Sequence, residues 1–139
     1  MLFRSCLELQ QSNPNTSVKI EVCDEGSSNS ESRIFKRIYI CPAALKVGFK
    51  AGQRELLGLD GCFMKGPFPG QILTAVGLDS NNGIYPLAYA VVEAETTSSW
   101  TWFLECLGDD LNLDSSCNFT FISDRQKVTP AVSISLCTP

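Results

Sequence analysis

Apolar and polar positions alternate in several separate stretches of this chain. Val18, Ile20 and Val22 alternate with polar residues, the pattern of a half-exposed strand. Phe35, Ile38 and Ile40 sit among basic residues in a second such stretch, over 34–40. Leu2, Phe3, Cys6, Leu7 and Leu9 give residues 1–12 a weakly helical, partly apolar face, which Asn13, Pro14 and Asn15 interrupt. The polar, Ser-rich run 24–32 reads as a mobile loop, and residues 42–49 as a short helix with Pro42 near its first turn.

The clearest pattern begins after Gly52. Leu56, Leu57 and Leu59 predict a buried strand over 55–60, with Asp60 at or near its end. Glycines and prolines make 61–70 a turn or irregular link. A second strand spans 71–79, a hairpin turn lies at Asn82 and Gly83, and a third strand spans 84–93. Pro86 cannot donate to a ladder, so this third strand is expected at a sheet edge. Trp100, Phe103, Leu104, Leu107 and Leu111 recur at helical spacing over 99–111, with Thr97 or Ser98 as the cap and the aromatic stripe facing a sheet. A fourth strand over 119–123 ends at Asp124, and one or two further helical turns are expected around 129–136. The order is β-β-β-α-β. It predicts an α/β fold with a mixed sheet, in which the helical crossover can set the fourth strand parallel to the first.

At 139 residues the chain is long enough for one domain with a real core, and 44% hydrophobic content makes it globular in composition. No apolar run reaches the length of a membrane span, and the N-terminus has no signal-peptide pattern. Net charge is −4, which argues against strong autonomous DNA binding. Seven scattered cysteines without a Cys-x-x-Cys give no zinc site, and reduced thiols are expected, most of them as small buried apolar residues. The chain has no histidine, so acid–base or metal chemistry must run on carboxylates.

Asp60 has two readings. Followed by glycine, it serves as a turn residue; at the C-terminal end of a sheet strand, it serves as a metal ligand. Asp124 repeats the arrangement, followed by Arg125 and Lys127, which either meet a DNA phosphate or form a solvated surface. Asp79 reads as turn chemistry, Glu93 and Glu95 as favourable partners of the helix N-terminal dipole, and Glu105, Asp109 and Asp110 as solvated helix-surface charges.

Five blocks occur in order: Leu59 to Gly66, Gly70 to Asp79, Tyr85 to Glu93, Ser99 to Leu104, and Ser123 to Lys127. Together they resemble the catalytic domain of plant Mutator-like (MULE) transposases, over about residues 35–132, with a weaker extension to Ser12–Pro14. The resemblance implies a ribonuclease H-like fold, a lead-in segment over 1–52 that is partly mobile, and a transposase domain over 53–139. It also implies Asp60 and Asp124 as catalytic ligands for Mg2+ or Mn2+, terminal-inverted-repeat DNA as partner, and a nuclear location. The family's third acid, a downstream glutamate, has no counterpart, because no acidic residue follows Asp124. Val128 also stands where the family usually has glycine. A domain truncated past its second carboxylate, lacking its C-terminal part and inactive or very weak alone, is therefore expected. Uncovered apolar surface then favours self-association. The alternative is a domesticated, DNA-associated regulator or interaction module without catalysis.

Overall fold

The computed structural model describes residues 2–24, 33–52, 54–113 and 119–124. Nine elements follow one another: α1 (Leu2–Ser12), β1 (Ser17–Asp24), β2 (Arg33–Cys41), α2 (Ala43–Gly52), β3 (Leu56–Met64), β4 (Gly70–Leu78), β5 (Ile84–Val92), α3 (Thr97–Leu111) and β6 (Thr120–Ile122). The six strands form one mixed sheet in the order β1-β2-β5-β4-β3-β6. All neighbours are antiparallel except β3 and β6, which run parallel. The expected β-β-β-α-β order is present as β3-β4-β5-α3-β6, and β1 and β2 extend the same sheet beyond β5.

Strand alternation decides which side is dry. Leu57 and Leu59 of β3, Leu73 and Ala75 of β4, and Ala88, Ala90 and Val92 of β5 are buried in one cluster. Trp100, Phe103, Leu104, Leu107 and Leu111 of α3 cover them, as the helical spacing predicts. Tyr39 of β2 meets the Trp102 and Phe103 rings edge-on, at centroid distances of 6.5 and 5.7 Å. Helix α3 opens on a capping box made by Thr96 and Ser99, one residue before the expected caps. It closes on Asn112 in the left-handed region, φ 54°.

Two expectations give way. Strand β3 does not stop at Asp60 but continues to Met64, because Gly61, Cys62, Phe63 and Met64 pair in turn with Leu73, Ile72, Gln71 and Gly70. The turn chemistry of 61–70 is confined to the hairpin tip. Strand β5 is not an edge strand either; it lies between β2 and β4. Pro86 is tolerated because β2 pairs with β5 only at Tyr89, Ala90 and Val91. A register shift against β4 also falls here: Ala75 faces Ala88 while Val76 faces Pro86, so Leu87 is an extra residue. The missing N–H therefore falls outside the β2 ladder and beside a register shift in the β4 ladder.

Of the expected mobile loop at 24–32, Asp24 is the last residue of β1 and 25–32 lie outside the described residues, as do the helical turns expected at 129–136. No helix among the described residues is long and apolar enough to cross a membrane.

Candidate active site

The site is built by the β3–β6 pair. Thr120 N donates to Glu55 O at 2.8 Å and starts the pairing. Leu56, Leu57 and Gly58 then lie beside Thr120, Phe121 and Ile122. The pairing ends at Gly58 and Ile122, and Asp60 and Asp124 each lie two residues further along the chain. The parallel crossover through α3 thus makes the strand that holds Asp60 and the strand that precedes Asp124 neighbours in the sheet.

Burial alternates along β3. Leu57, Leu59 and Gly61 face the α3 side, and Asp60 and Cys62 are exposed. Asp60 stands opposite Thr74 of β4 and accepts a hydrogen bond at Oδ1 from Gly61 N at 2.8 Å. Asp124 is exposed just beyond β6. Arg125 and Lys127 lie outside the described residues.

The backbone beneath the site is tight. A Cβ on Gly58 would come within 2.7 Å of Val76 Cγ2, so a side chain here requires the Val76 methyl to move. A Cβ on Gly61 would meet Glu95 Oε1 at 3.3 Å, from the α3 side of the sheet. Glu95 is not simply a helix-dipole partner: it is 5% exposed, and its Oε1 accepts from Trp100 Nε1 at 3.2 Å. Glu93 accepts from Arg37 Nη2 at 2.6 Å, and the Arg37 guanidinium lies over the Trp102 ring at 5.3 Å. Sequence reasoning missed Arg37 altogether, since nothing in its local pattern marks a basic strand residue for burial.

Asp110 departs furthest from its reading as a solvated charge. Its side chain is one-tenth exposed and accepts from Ser17 Oγ, from Tyr39 Oη at 2.8 Å and from Lys46 Nζ at 3.3 Å. A signal for this existed: Asp110 lies three residues after Leu107, on the apolar stripe of α3. Burial, reinforced by Asp110, holds the Tyr39 hydroxyl well above the usual tyrosine range. Asp109 pairs with Lys19 at 3.1 Å on the surface, and Glu105 is exposed, as expected. Asp79 caps its turn by accepting from Asn81 N and Gly83 N at Oδ1.

Of the cysteines among the described residues, Cys6, Cys41 and Cys106 are buried and Cys23 and Cys62 exposed; all five are free thiols.

Residues 56–134 match the MULE transposase domain, a span that begins at the first residue of β3 and includes both aspartates. The match covers more than half of the chain. The chain belongs to the MULE transposase family. No curated protein and no solved structure matches it. Membership makes it a transposase-related protein, and a DDE transposase family implies a divalent metal and DNA as the partner. Among the described residues of this MULE domain, no group of three or more His, Cys, Asp or Glu side chains is placed to hold a metal ion. Asp60 and Asp124 supply carboxylate oxygens, the donors that a hard cation takes, but as a pair.

Proposed function

We propose that this chain is the catalytic core of a plant Mutator-like DNA transposase, ribonuclease H-like over residues 53–139 and preceded by a lead-in segment over 1–52. Its reaction class is metal-dependent DNA strand cleavage and transfer at terminal inverted repeats in the nucleus. Asp60 and Asp124 hold the divalent ion, Mg2+ or Mn2+. One observation carries the reading: β3, which holds Asp60, and β6, which ends two residues before Asp124, are parallel neighbours. The strand order β5-β4-β3-β6 supports the fold assignment.

Each residue has a task in this reading. Asp60 presents its carboxylate from the middle of a paired strand, oriented by the Gly61 N–H, which supplies the rigidity that a ligand needs. Asp124 presents the second carboxylate from the end of β6. Arg125 and Lys127 bind and orient the DNA backbone. When bound, the ion supplies activation of a water or 3′-hydroxyl and neutralises charge at the scissile phosphate. Residues 125–139 contain no acid, so these 139 residues hold the ion weakly and are inactive or nearly so by themselves. Self-association fits the same reading, because edge strand β6 exposes Ile122 at 59%.

The test is a nicking and joining assay on terminal-inverted-repeat DNA with Mn2+, run beside a measurement of Mn2+ binding. Metal binding that Asp60→Asn and Asp124→Asn each weaken, with little or no strand cutting, is expected. Cutting at a rate that Asp60→Ala leaves unchanged overturns the assignment.

The absence of a three-acid group among the described residues favours a second reading, a DNA-associated regulator without catalysis. There, both aspartates are replaceable with no loss of DNA association.

A further inference from the structure

Glu95 is the most buried acid among the described residues, at 5% exposed, and the reading of the two aspartates gives it no task. A carboxylate is seldom found so deep. It is also held still. Ser99, fully buried, donates from Oγ to Ala94 O at 2.7 Å and accepts there from Thr96 N at 2.9 Å. The residues before and after Glu95 are thus tied to one serine in the first turn of α3. Trp100, fully buried and set edge-on against Phe103, donates from Nε1 to Glu95 Oε1 at 3.2 Å. Burying a carboxylate costs free energy that a leucine in the same place would not.

What the acid is held against is β3. The point where a Cβ on Gly61 would stand is 3.3 Å from Glu95 Oε1 and 3.4 Å from its Cδ, so the carboxylate rests against the bare face of Gly61. Gly61 is also the residue whose N–H donates to Asp60 Oδ1, at 2.8 Å. Strand alternation sets Asp60 on the face away from α3, whereas Glu95 lies on the α3 side. Glu95 therefore touches the strand from behind and does not share a face with the Asp60 carboxylate.

We propose that Glu95 is a positioning residue for Asp60. It acts through Gly61. Held by Trp100 and by the Ser99 clamp, it fixes β3 at residue 61, and with it the direction of the N–H that orients the Asp60 carboxylate. The first turn of α3 and the metal site are coupled in this way across the thickness of the sheet. The inference rests on the reading of Asp60 as a metal ligand.

The full chain is labelled with 15N-glycine, and the Gly61 amide signal of the metal-free protein is followed beside Mn2+ affinity from electron paramagnetic resonance. Loss of the signal in Gly61→Ala assigns it. Glu95→Ala is expected to shift the Gly61 signal and to lower Mn2+ affinity about fivefold, less than loss of a ligand because it acts through a neighbour. Glu95→Gln keeps the size of the side chain and an acceptor for Trp100, and is expected to restore both readouts. Leu107→Ala, two turns beyond Trp100, weakens the α3 core without touching this contact and should lower stability alone; circular dichroism confirms that each variant is folded. Asp60→Asn with unchanged Mn2+ affinity sinks the metal reading, and the Gly61 signal then decides the positioning by itself. The proposal is overturned if Glu95→Ala leaves the Gly61 signal in place, or leaves Mn2+ affinity unchanged where Asp60→Asn lowers it. It is also overturned if Glu95→Gln loses as much as Glu95→Ala, or if Leu107→Ala produces the same losses.

Discussion

Gly58 of β3 lies beside Ile122 of β6 in parallel pairing, and two residues further along each strand direction stands an aspartate. Immediately before them, Leu57 is paired with Phe121, and both pack into the α3-covered core. One ladder therefore does two things. Its apolar pairs anchor β6, and its parallel sense makes the strand of Asp60 a neighbour of the strand that leads to Asp124.

Removing either carboxylate should weaken metal binding without unfolding the protein. Asp60 is exposed, and its Oδ1 accepts only a local bond from Gly61 N. Asp60→Asn is expected to lower Mn2+ affinity about tenfold, measured by calorimetry or electron paramagnetic resonance, while stability changes by no more than about 0.5 kcal/mol. Equal affinity in wild type and Asp60→Asn would remove this aspartate from the site.

Gly58→Ala should destabilise the sheet beneath the site. The added methyl would lie 2.7 Å from Val76 Cγ2, a stiff β-branched side chain. The expected cost is about 1–3 kcal/mol in urea unfolding. Combining it with Val76→Ala should recover part of that cost, since neighbouring substitutions do not add. Additive costs in the double variant would show that the clash is relieved by some other movement.

Asp110→Ala should cost more than any exposed charge. It leaves Lys46, with a side chain only 17% exposed, without its carboxylate, and takes an acceptor from Tyr39 and Ser17. A loss of about 3 kcal/mol is expected, because breaking a buried pair strands the remaining charge. Replacing both partners, with Asp110→Leu and Lys46→Met, should cost less than Asp110→Ala alone. Urea midpoints for the three variants check the order.

Stability should fall in alkali. Burial, with Asp110 nearby, pushes the Cys41 thiol up to about 11 from an ordinary 9.0. Burial pushes Cys106 up to about 11 as well. Both folded values exceed the unfolded ones, so the folded state holds protons that the unfolded state has released. The contribution is complete below about pH 9 and is lost as pH rises through about 11, at about 1–3 kcal/mol per thiol. Melting temperatures from pH 7 to 10.5 test this, and a flat profile above pH 9 contradicts it.

The element pattern was largely legible because it rests on local rules. The alternation in 17–22 and 34–40, the stripe from Trp100 to Leu111 and the Asn82–Gly83 turn all became the elements they predicted. Pro86 misled because a missing donor shows only that no ladder bond is made, not where in the sheet that gap falls. The buried acids were hidden for a similar reason. Glu95 and Asp110 are near a helix end in sequence; the α3 stripe marks Asp110 for burial, but only packing shows that Trp100, Lys46 and Tyr39 are the partners of these acids.

By itself, the sequence determined the kinds of element, their order and the apolar face of α3, all consequences of residue type and spacing along one chain. The tertiary structure alone decided that β5 lies inside the sheet, that β1 and β2 extend it, and in which register the Asp60 strand pairs with the strand before Asp124. Strand partners and register are settled by contacts between residues remote in sequence, and those contacts exist only once the helix has carried the chain back across the sheet.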